Sequence, residues 1–219
     1  MRRRLYLMRH AHVSYAGERD PDVVRLTEQG REQAAAVARI CAGIEFDAVF
    51  TSSLPRTIET AQIVAAGRPA AAWPEFAEWR GGSLDGVDPG ALEQLFTGAL
   101  DVEGESSRFL LGESLGELLD RVLPAFERLV AEPWETALAV FHGGVNRALL
   151  SHALAGGRAY FGRFEQAPAC LNVLDLGPTG WIVRTVNFIA YDPLHPGRST
   201  TMEDVWAELV AGRTEPPQG

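Results

Sequence analysis

The chain has 219 residues, of which 46% are hydrophobic and 22% are charged, a composition typical of soluble globular proteins rather than of disordered or fibrous ones. Its formal net charge of -9 argues against binding to nucleic acid or to an anionic membrane surface, because both interactions use basic surfaces. All 20 basic residues are arginine, which excludes enzyme classes that need a lysine, such as Walker-A nucleotide hydrolases, protein kinases and pyridoxal-phosphate enzymes.

Cysteine usage and apolar runs indicate the compartment. The two cysteines, Cys41 and Cys170, lie far apart in apolar stretches, so neither a disulfide framework nor a cysteine zinc site is expected. The first apolar run ends at Arg9 and His10, which makes it too short for a signal peptide, and no run approaches the ~20 residues that span a membrane. We therefore expect a soluble, cytoplasmic protein.

Short apolar runs alternate with helical patterns along most of the chain. In chain order the predicted elements are a strand over 5–8, a helix capped by Thr27 that ends at Gly43, a strand over 47–52, a helix from Pro55 to Gly67, a partly helical insertion over 73–112, a helix over 115–130, a strand over 137–141, a helix over 145–155 and a hairpin of strands over 170–176 and 181–188. Strands that alternate with helices indicate a parallel sheet. The sequence therefore predicts an α/β fold: a three-layer α/β/α sandwich whose mostly parallel sheet carries an antiparallel edge strand.

The sequence shows no repeat or linker that would divide the chain into two domains. We expect residues 1–213 to form a single α/β domain in which the insertion at about 73–112 acts as a lid. Residues 214–219, which include two adjacent prolines, are expected to form a flexible tail. Because the exposed edge of such a sheet often pairs with another chain, a homodimer is a further expectation.

Polar residues follow three of the predicted strands at the point where ligands bind in α/β sheets. Arg9 and His10 follow the first strand, Arg56 opens the helix after the second, and His142 follows the strand over 137–141. Arginine forks and a helix N-terminus suit phosphate oxygens. One imidazole can attack phosphorus, and a second, protonated imidazole can stabilise charge on the phosphoryl oxygens. The pattern therefore predicts a phosphoryl-transfer site.

Five short strings in this chain together resemble the histidine phosphatase superfamily, which includes cofactor-dependent phosphoglycerate mutases, fructose-bisphosphatases and many small-molecule and protein phosphatases. The strings are Leu7-Met8-Arg9-His10-Ala11, Leu26-Thr27-Glu28-Gln29-Gly30, Thr51-Ser52-Ser53-Leu54-Pro55-Arg56, Phe76-Ala77-Glu78 and Phe141-His142-Gly143-Gly144. They occur in the family's order from residue 5 to about residue 155, so the set is far more specific than any single string. The resemblance implies a phosphoglycerate mutase-like fold.

The resemblance also implies a role for each matching residue. His10 would be the nucleophile, and Glu78 would give a proton to the leaving oxygen and take one from the attacking water. The residues that would hold the phosphoryl oxygens are Arg9, Arg56 and His142. Further candidates for substrate contacts are Gly143, His12, Ser14 and Arg80. Neither a metal nor a cofactor is needed for this chemistry, which depends on positioning and electrostatics.

Two positions depart from the family pattern. Ala11 stands where the family commonly has glycine, which is harmless unless that position needs a positive φ. Ala16 stands where many members have an asparagine that helps to hold the phosphate, and Ser14 or His12 could compensate for it. The stretch between Glu78 and the second histidine is also shorter than in the mutases, which favours a phosphatase.

The lid contains two groups that the sequence leaves ambiguous. Arg80 either reaches an anionic group of the substrate or lies on the lid surface. Trp79 and Phe109 either form an apolar wall for the leaving group or pack together as the lid's own small core, and the second interpretation is the simpler one.

The sequence thus predicts a metal-independent, histidine acid-type phosphatase that acts on a small-molecule phosphate monoester through a phosphohistidine. A mutase-like phosphotransferase remains an alternative, and it would need a phosphorylated resting enzyme. A catalytically weak protein that binds a phosphorylated ligand is another, although such a protein has no use for Glu78. A metal hydrolase built on His10 and His12 is a third, but the sequence offers no further ligand at suitable spacing.

Overall fold

A computed structural model of the chain describes residues 2–16, 18 and 20–214. Its strands are β1 (Arg3–Arg9), β2 (Ala48–Thr51), β3 (Ala71–Ala72), β4 (Thr136–Phe141), β5 (Leu171–Gly177) and β6 (Gly180–Phe188). They form a single sheet in the order β3-β2-β4-β1-β5-β6. The first four in that order run parallel, whereas β5 pairs antiparallel with β1 and β6 pairs antiparallel with β5. The predicted mostly parallel sheet with an antiparallel edge is confirmed.

Helices cover both faces of the sheet, as the predicted three layers require. They are α1 (Glu28–Cys41), α2 (Pro55–Val64), α3 (Pro89–Thr97), α4 (Leu115–Ala131), α5 (Gly143–Ala155) and α6 (Thr201–Thr214). Successive side chains of a strand point to opposite faces. In β4, Ala137, Ala139 and Phe141 accordingly join the core beneath α4 and α5, while Leu138 and Val140 join the core beneath α1 and α2.

Local signals fix where the helices that border the site begin. The Thr27 side chain accepts a hydrogen bond from the Gly30 backbone N–H at 3.0 Å, which caps α1. A Cβ at Gly30 would lie 2.2 Å from the His12 carbonyl oxygen, so only glycine allows this close approach. Pro55 occupies the first turn of α2, where its missing N–H has no cost. These contacts hold the loop after β1 and the start of α2 in fixed positions.

The segment 73–112 is partly helical, as predicted. It contains α3 and two short 3₁₀ turns, Pro74–Phe76 and Phe109–Leu111. Its second turn departs from regular helix, since Leu110 and Leu111 both have positive φ values, 43° and 63°.

The C-terminal helix α6 was not predicted. It lies over α3, with the Trp206 and Phe96 ring centroids 5.5 Å apart. Thr200 and Glu203 form reciprocal side-chain to backbone hydrogen bonds at its start, and this capping-box spacing was the signal available in the sequence. Thr214 belongs to α6 rather than to a tail, and the rest of the predicted tail, 215–219, lies outside the described residues.

The described residues also bear on two expectations about surfaces. Within 2–16, 18 and 20–214, no helix has the length and apolar character needed to cross a membrane. The outer strands of the sheet are β3 and β6, and pairing of two chains through such an edge stays a prediction.

Candidate active site

Three of the predicted site residues meet where β1 and β4 end, and a fourth, Arg56, lies in the first turn of α2. Arg9 is the last residue of β1 and His10 follows it, while His142 follows β4 and caps α5. The His10 backbone N–H donates to the Phe141 carbonyl at 2.9 Å, which fixes the two strand ends side by side. The His10 and His142 ring centroids are 5.2 Å apart. The parallel pairing of β1 and β4 therefore brings together histidines that are far apart in the sequence.

His10 is arranged as a neutral imidazole with a free nitrogen. Its side chain is buried, and Nδ1 lies 2.8 Å from the Ala11 carbonyl oxygen. Because a carbonyl only accepts hydrogen bonds, this contact places the proton on Nδ1 and leaves the lone pair on Nε2. Burial, followed by the nearby Arg56 and Arg9 guanidinium groups, lowers the pKa of His10 well below its usual value. The ring can therefore act as a nucleophile through Nε2.

The surroundings of His142 also favour its neutral form, whereas the sequence predicted a protonated second histidine. Burial and then the nearby Arg56 charge lower the pKa of His142 well below its usual value. Its Nε2 lies 2.8 Å from Ser52 Oγ, while Nδ1 is buried without a hydrogen-bond partner. When the Ser52 hydroxyl donates to Nε2, the His142 proton lies on Nδ1. A neutral ring can then donate one hydrogen bond to a phosphoryl oxygen, and Ser52 sets which nitrogen does so.

The two predicted phosphate-binding arginines are buried and held by backbone carbonyls. Arg9 Nη1 donates to the Gln166 carbonyl at 2.5 Å, and Arg56 Nη1 donates to the Pro21 carbonyl at 2.7 Å. The Nε of each arginine is buried and without a partner. Their guanidinium groups are therefore fixed in place and retain unused donors.

Unpartnered buried atoms concentrate in this cluster. Across the described ranges, five buried side-chain atoms lack a hydrogen-bond partner, and three of them are Arg9 Nε, Arg56 Nε and His142 Nδ1. Buried polar atoms without partners are rare, because each forfeits the hydrogen bonds it would make in water. A tetrahedral oxyanion offers several acceptor oxygens for donors of this kind. The arrangement thus fits the phosphoryl-binding role predicted for these residues.

Glu78 reaches the site from the insertion and caps α5. Its Oε2 accepts the Gly143 N–H at 2.9 Å, and its Oε1 accepts the Gly144 N–H at 3.1 Å and the Trp79 N–H at 2.8 Å. Each carboxylate oxygen can accept about two hydrogen bonds, so Oε2 keeps one position at which it can carry a proton. The Gly143 N–H is thus bonded to Glu78, and a contact of Gly143 with the substrate stays a prediction.

The remaining candidates lie at the edge of this cluster. His12 bonds Thr27 Oγ1 through Nδ1 at 2.8 Å and Glu208 Oε1 through Nε2 at 3.0 Å, so both of its ring nitrogens are engaged. Ser14 Oγ accepts the backbone N–H of Ala16 at 3.3 Å. Arg80 is exposed and lines a cavity beside the cluster.

Two further expectations concern Ala11 and metal binding. Ala11 is not among the residues with positive φ, and its N–H donates to Thr60 Oγ1 at 3.1 Å, so alanine fits here without strain. Within the residues that the structure describes, no three His, Cys, Asp or Glu side chains are grouped as metal ligands.

Helix α6 covers the cluster, and its residues line two cavities there. One cavity, of about 390 Å³, is lined by His10, His12 and Glu208. The other, of about 430 Å³, is lined by Arg56 and Glu78. Arg9, Tyr15 and Val205 line both. Sequence reasoning missed these α6 residues together with the helix that carries them.

Arg147 is a further cation near the cluster that sequence reasoning missed. It is buried, its Nε donates to the Phe164 carbonyl at 2.6 Å, and it lines a small space with Arg9 and Glu78. Its position one helical turn after Gly143 was the available signal, because residues four apart share a helix face.

Comparison with known proteins places this geometry in a family. A family model described as Histidine phosphatase superfamily (branch 1) matches residues 5–189. The chain is 31% identical over 170 residues to phosphoglycerate mutase-like protein 4 of Arabidopsis thaliana, a match that covers 70% of this chain and 72% of that protein. It is 27% identical over 195 residues to 2-carboxy-D-arabinitol-1-phosphatase of Triticum aestivum, covering 80% of this chain but only 37% of the wheat protein's length.

A solved structure extends the likeness to three dimensions. The mycobacterial glucosyl-3-phosphoglycerate phosphatase in complex with VO₃ aligns with a TM-score of 0.70 at 26% identity, over 84% of this chain and 98% of that one. The matched range 5–189 contains every residue of the buried cluster. The chain therefore belongs to the histidine phosphatase superfamily, whose members are phosphatases or mutases.

Proposed function

We propose that this protein is a phosphatase that hydrolyses a small-molecule phosphate monoester through a phosphohistidine at His10. The observation that carries the proposal is the set of three unpartnered buried donors on Arg9, Arg56 and His142 beside a neutral His10. We also propose that residues 1–213 act as one domain in which the 73–112 insertion serves as the lid. The names of the relatives, which include a mutase-like protein and two phosphatases, are compatible with this reaction class.

The first step transfers the phosphoryl group to the enzyme. His10 Nε2 attacks phosphorus, a P–N bond forms and the P–O bond to the leaving group breaks. The electron pair goes to the leaving oxygen, which takes the proton from Glu78. Arg9, Arg56 and His142 donate to the three non-bridging oxygens and stabilise their charge in the transition state. As the P–N bond forms, the positive charge that develops on His10 is balanced by the transferred phosphoryl group.

The second step returns the enzyme to its starting state. Water attacks phosphorus, the P–N bond breaks, and the electron pair returns to His10 Nε2. The Glu78 carboxylate takes the proton of the attacking water, so it is again protonated for the next turnover. Inorganic phosphate then leaves. The balance requires only substrate, water and the side chains named.

Hydrolysis of phenyl phosphate in excess EDTA tests the proposal, with wild type compared against His10→Ala and against His195→Ala as a matched control. His195 is exposed in a late loop, so its replacement leaves the rate unchanged. Loss of the nucleophile lowers kcat by about 10⁴-fold or more. A rapid quench of wild type with ³²P-labelled ester traps label that is stable to base and lost in acid, as expected for phosphohistidine.

Three outcomes contradict the proposal. Activity that survives in His10→Ala removes His10 as the nucleophile. Activity that EDTA abolishes indicates a metal hydrolase. Transfer of the label to an added phosphoglycerate in preference to water identifies a mutase.

A further inference from the structure

The cavity beside Glu78 has an apolar wall that the reaction chemistry does not explain. It measures about 430 Å³, within the range of small-molecule sites. Its apolar lining residues are Trp79, Phe96, Phe109, Leu110, Met202 and Val205. We propose that this cavity, the leaving-group pocket, binds the organic part of the substrate and selects phosphate esters with an uncharged, apolar leaving group, such as an aryl or arylalkyl alcohol. The inference depends on the proposed phosphatase function.

The position of Glu78 connects the pocket to the reaction. Glu78 lines the leaving-group pocket together with Arg9 and Arg56. Because the leaving oxygen must lie between phosphorus and the proton donor, the bond to the organic group points away from the phosphoryl cluster at this boundary. The organic group of a bound ester therefore extends into this pocket.

One wall of the leaving-group pocket is already formed by contacts within the protein. The Trp79 and Phe109 rings stack with centroids 5.4 Å apart, and Trp79 Nε1 donates to the Glu113 carbonyl at 2.8 Å. Since Nε1 is satisfied by this bond, the indole offers only its apolar surface to the pocket. A rigid aromatic wall favours an apolar ligand because little side-chain freedom is lost on binding.

The backbone conformation of Leu110 fixes part of the pocket wall. Leu110 lines the pocket with a φ of 43°, a left-handed conformation that non-glycine residues rarely adopt. The Gly82 N–H donates to the Leu110 carbonyl at 2.9 Å and holds it there. The backbones of 80–82 and 111–112 also approach closely here, since a Cβ at Gly82 would lie 2.7 Å from the Leu111 carbonyl oxygen. The left-handed conformation places a leucine side chain on the wall of the pocket.

Charges at the pocket disfavour a second anionic group on the substrate. Besides the phosphate-binding arginines, the described cation in its lining is the exposed Arg80. Asp20 and Asp22 line the same pocket. A carboxylate on the leaving group would leave water for a largely apolar wall and would meet these two acidic side chains as well as Arg80, so its transfer into the pocket is less favourable than that of an uncharged group. Selection against phosphoglycerate-type esters follows.

Three esters of primary alcohols test the inference at similar leaving-group acidity: 3-phenylpropyl phosphate, glycerol 3-phosphate and 4-(phosphonooxy)butanoate. We expect kcat/KM for the phenylpropyl ester to exceed both others by about tenfold or more. Equal values, or a preference for either polar ester, overturn the inference while leaving a His10-dependent phosphatase intact. Absence of His10-dependent hydrolysis, with phenyl phosphate included, overturns the proposed function itself.

A variant of Phe109 distinguishes contact with the substrate in the leaving-group pocket from a purely structural role. Phe109→Ala lowers kcat/KM for the phenylpropyl ester by about tenfold and for glycerol 3-phosphate by less than about threefold. Phe161→Ala, the matched control at a ring that is 44% exposed and outside this pocket, changes neither. An equal loss on both esters in Phe109→Ala shows a structural role and overturns the inference.

A second variant is expected to gain activity on one ester, so a loss of stability would not produce the expected result. Met202→Arg places a cation in the leaving-group pocket and raises kcat/KM for 4-(phosphonooxy)butanoate relative to the phenylpropyl ester by about tenfold or more. An unchanged ratio in folded Met202→Arg contradicts the placement of the leaving group.

Discussion

The floor of the site and its cover are built in different ways. The floor consists of Arg9, His10, Arg56 and His142, which are buried at the ends of two adjacent parallel strands and at the start of α2. The cover consists of the insertion 73–112 and α6, whose mutual contacts include the Phe96 and Trp206 rings. The groups that we propose to transfer phosphate are thus fixed by backbone pairing, whereas those that we propose to meet the organic part of the substrate depend on side-chain packing between distant segments.

Glu78 joins the two regions. It belongs to the insertion, yet its carboxylate accepts the first two N–H groups of α5, which carries His142 as its cap. A carboxylate is favourable at a helix N-terminus because of the unpaired N–H groups and the helix dipole. The proton donor is therefore held by the floor although it comes from the cover. This division predicts a large, substrate-independent effect for changes to the floor and smaller effects for changes to the cover.

Arg56→Ala tests the floor and has the largest expected effect. It removes a fixed guanidinium whose Nε has no other partner, so kcat/KM falls by about 10²- to 10³-fold on every ester. Arg39→Ala, at an exposed arginine in the last turn of α1, is the control and leaves the rate unchanged. A loss confined to one class of ester would place Arg56 in the cover and break the distinction.

Gly144→Ala tests the contact between the two regions. A Cβ at Gly144 would lie 2.9 Å from Glu78 Oε1 and 3.0 Å from Trp79 Cβ, so the proton donor must shift. We expect kcat to fall by about 10- to 100-fold, because small displacements of catalytic groups are costly. The effect should be smallest on aryl esters, whose leaving oxygen needs little help from a proton donor.

The control for this variant is Gly43→Ala. A Cβ at Gly43 meets nothing within 4 Å, so this change leaves both kcat and folding intact. Unchanged kcat in Gly144→Ala would mean that Glu78 does not act from the position it has in the structure.

The same division explains what the sequence could predict. Arg9, His10, Arg56 and His142 each lie at or next to the end of a regular element, so the order of strands and helices already places them at the same edge of the sheet. Their protonation could not be predicted, because the neutral state of His142 depends on burial and on arginines from other segments.

The helix α6 part of the cover could not be predicted from the sequence, for a physical reason. Helix α6 follows residue 189, where the family match ends. Its apolar residues form no single stripe, because the helix packs against α3 and also covers the site. The pairing of Trp206 with Phe96 joins segments more than 100 residues apart, and no local pattern encodes it. The Thr200 to Glu203 capping spacing could have indicated where a helix begins, but not what it covers.

Glu208→Gln tests the cover alone and has the smallest expected effect. Glu208 Oε1 lies 3.0 Å from His12 Nε2, within hydrogen-bond distance, and both side chains are partly exposed, so the contribution of this contact is modest. Weakening this contact lowers the fraction of molecules in which α6 covers the site, which raises the apparent KM in proportion. We expect KM for the phenylpropyl ester to rise by about two- to fivefold with kcat unchanged.

Glu127→Gln, at an exposed glutamate of α4, serves as the matched control and retains the wild-type KM. A fall in kcat rather than a rise in KM would show that α6 belongs to the catalytic floor, because only the floor is expected to govern phosphoryl transfer itself.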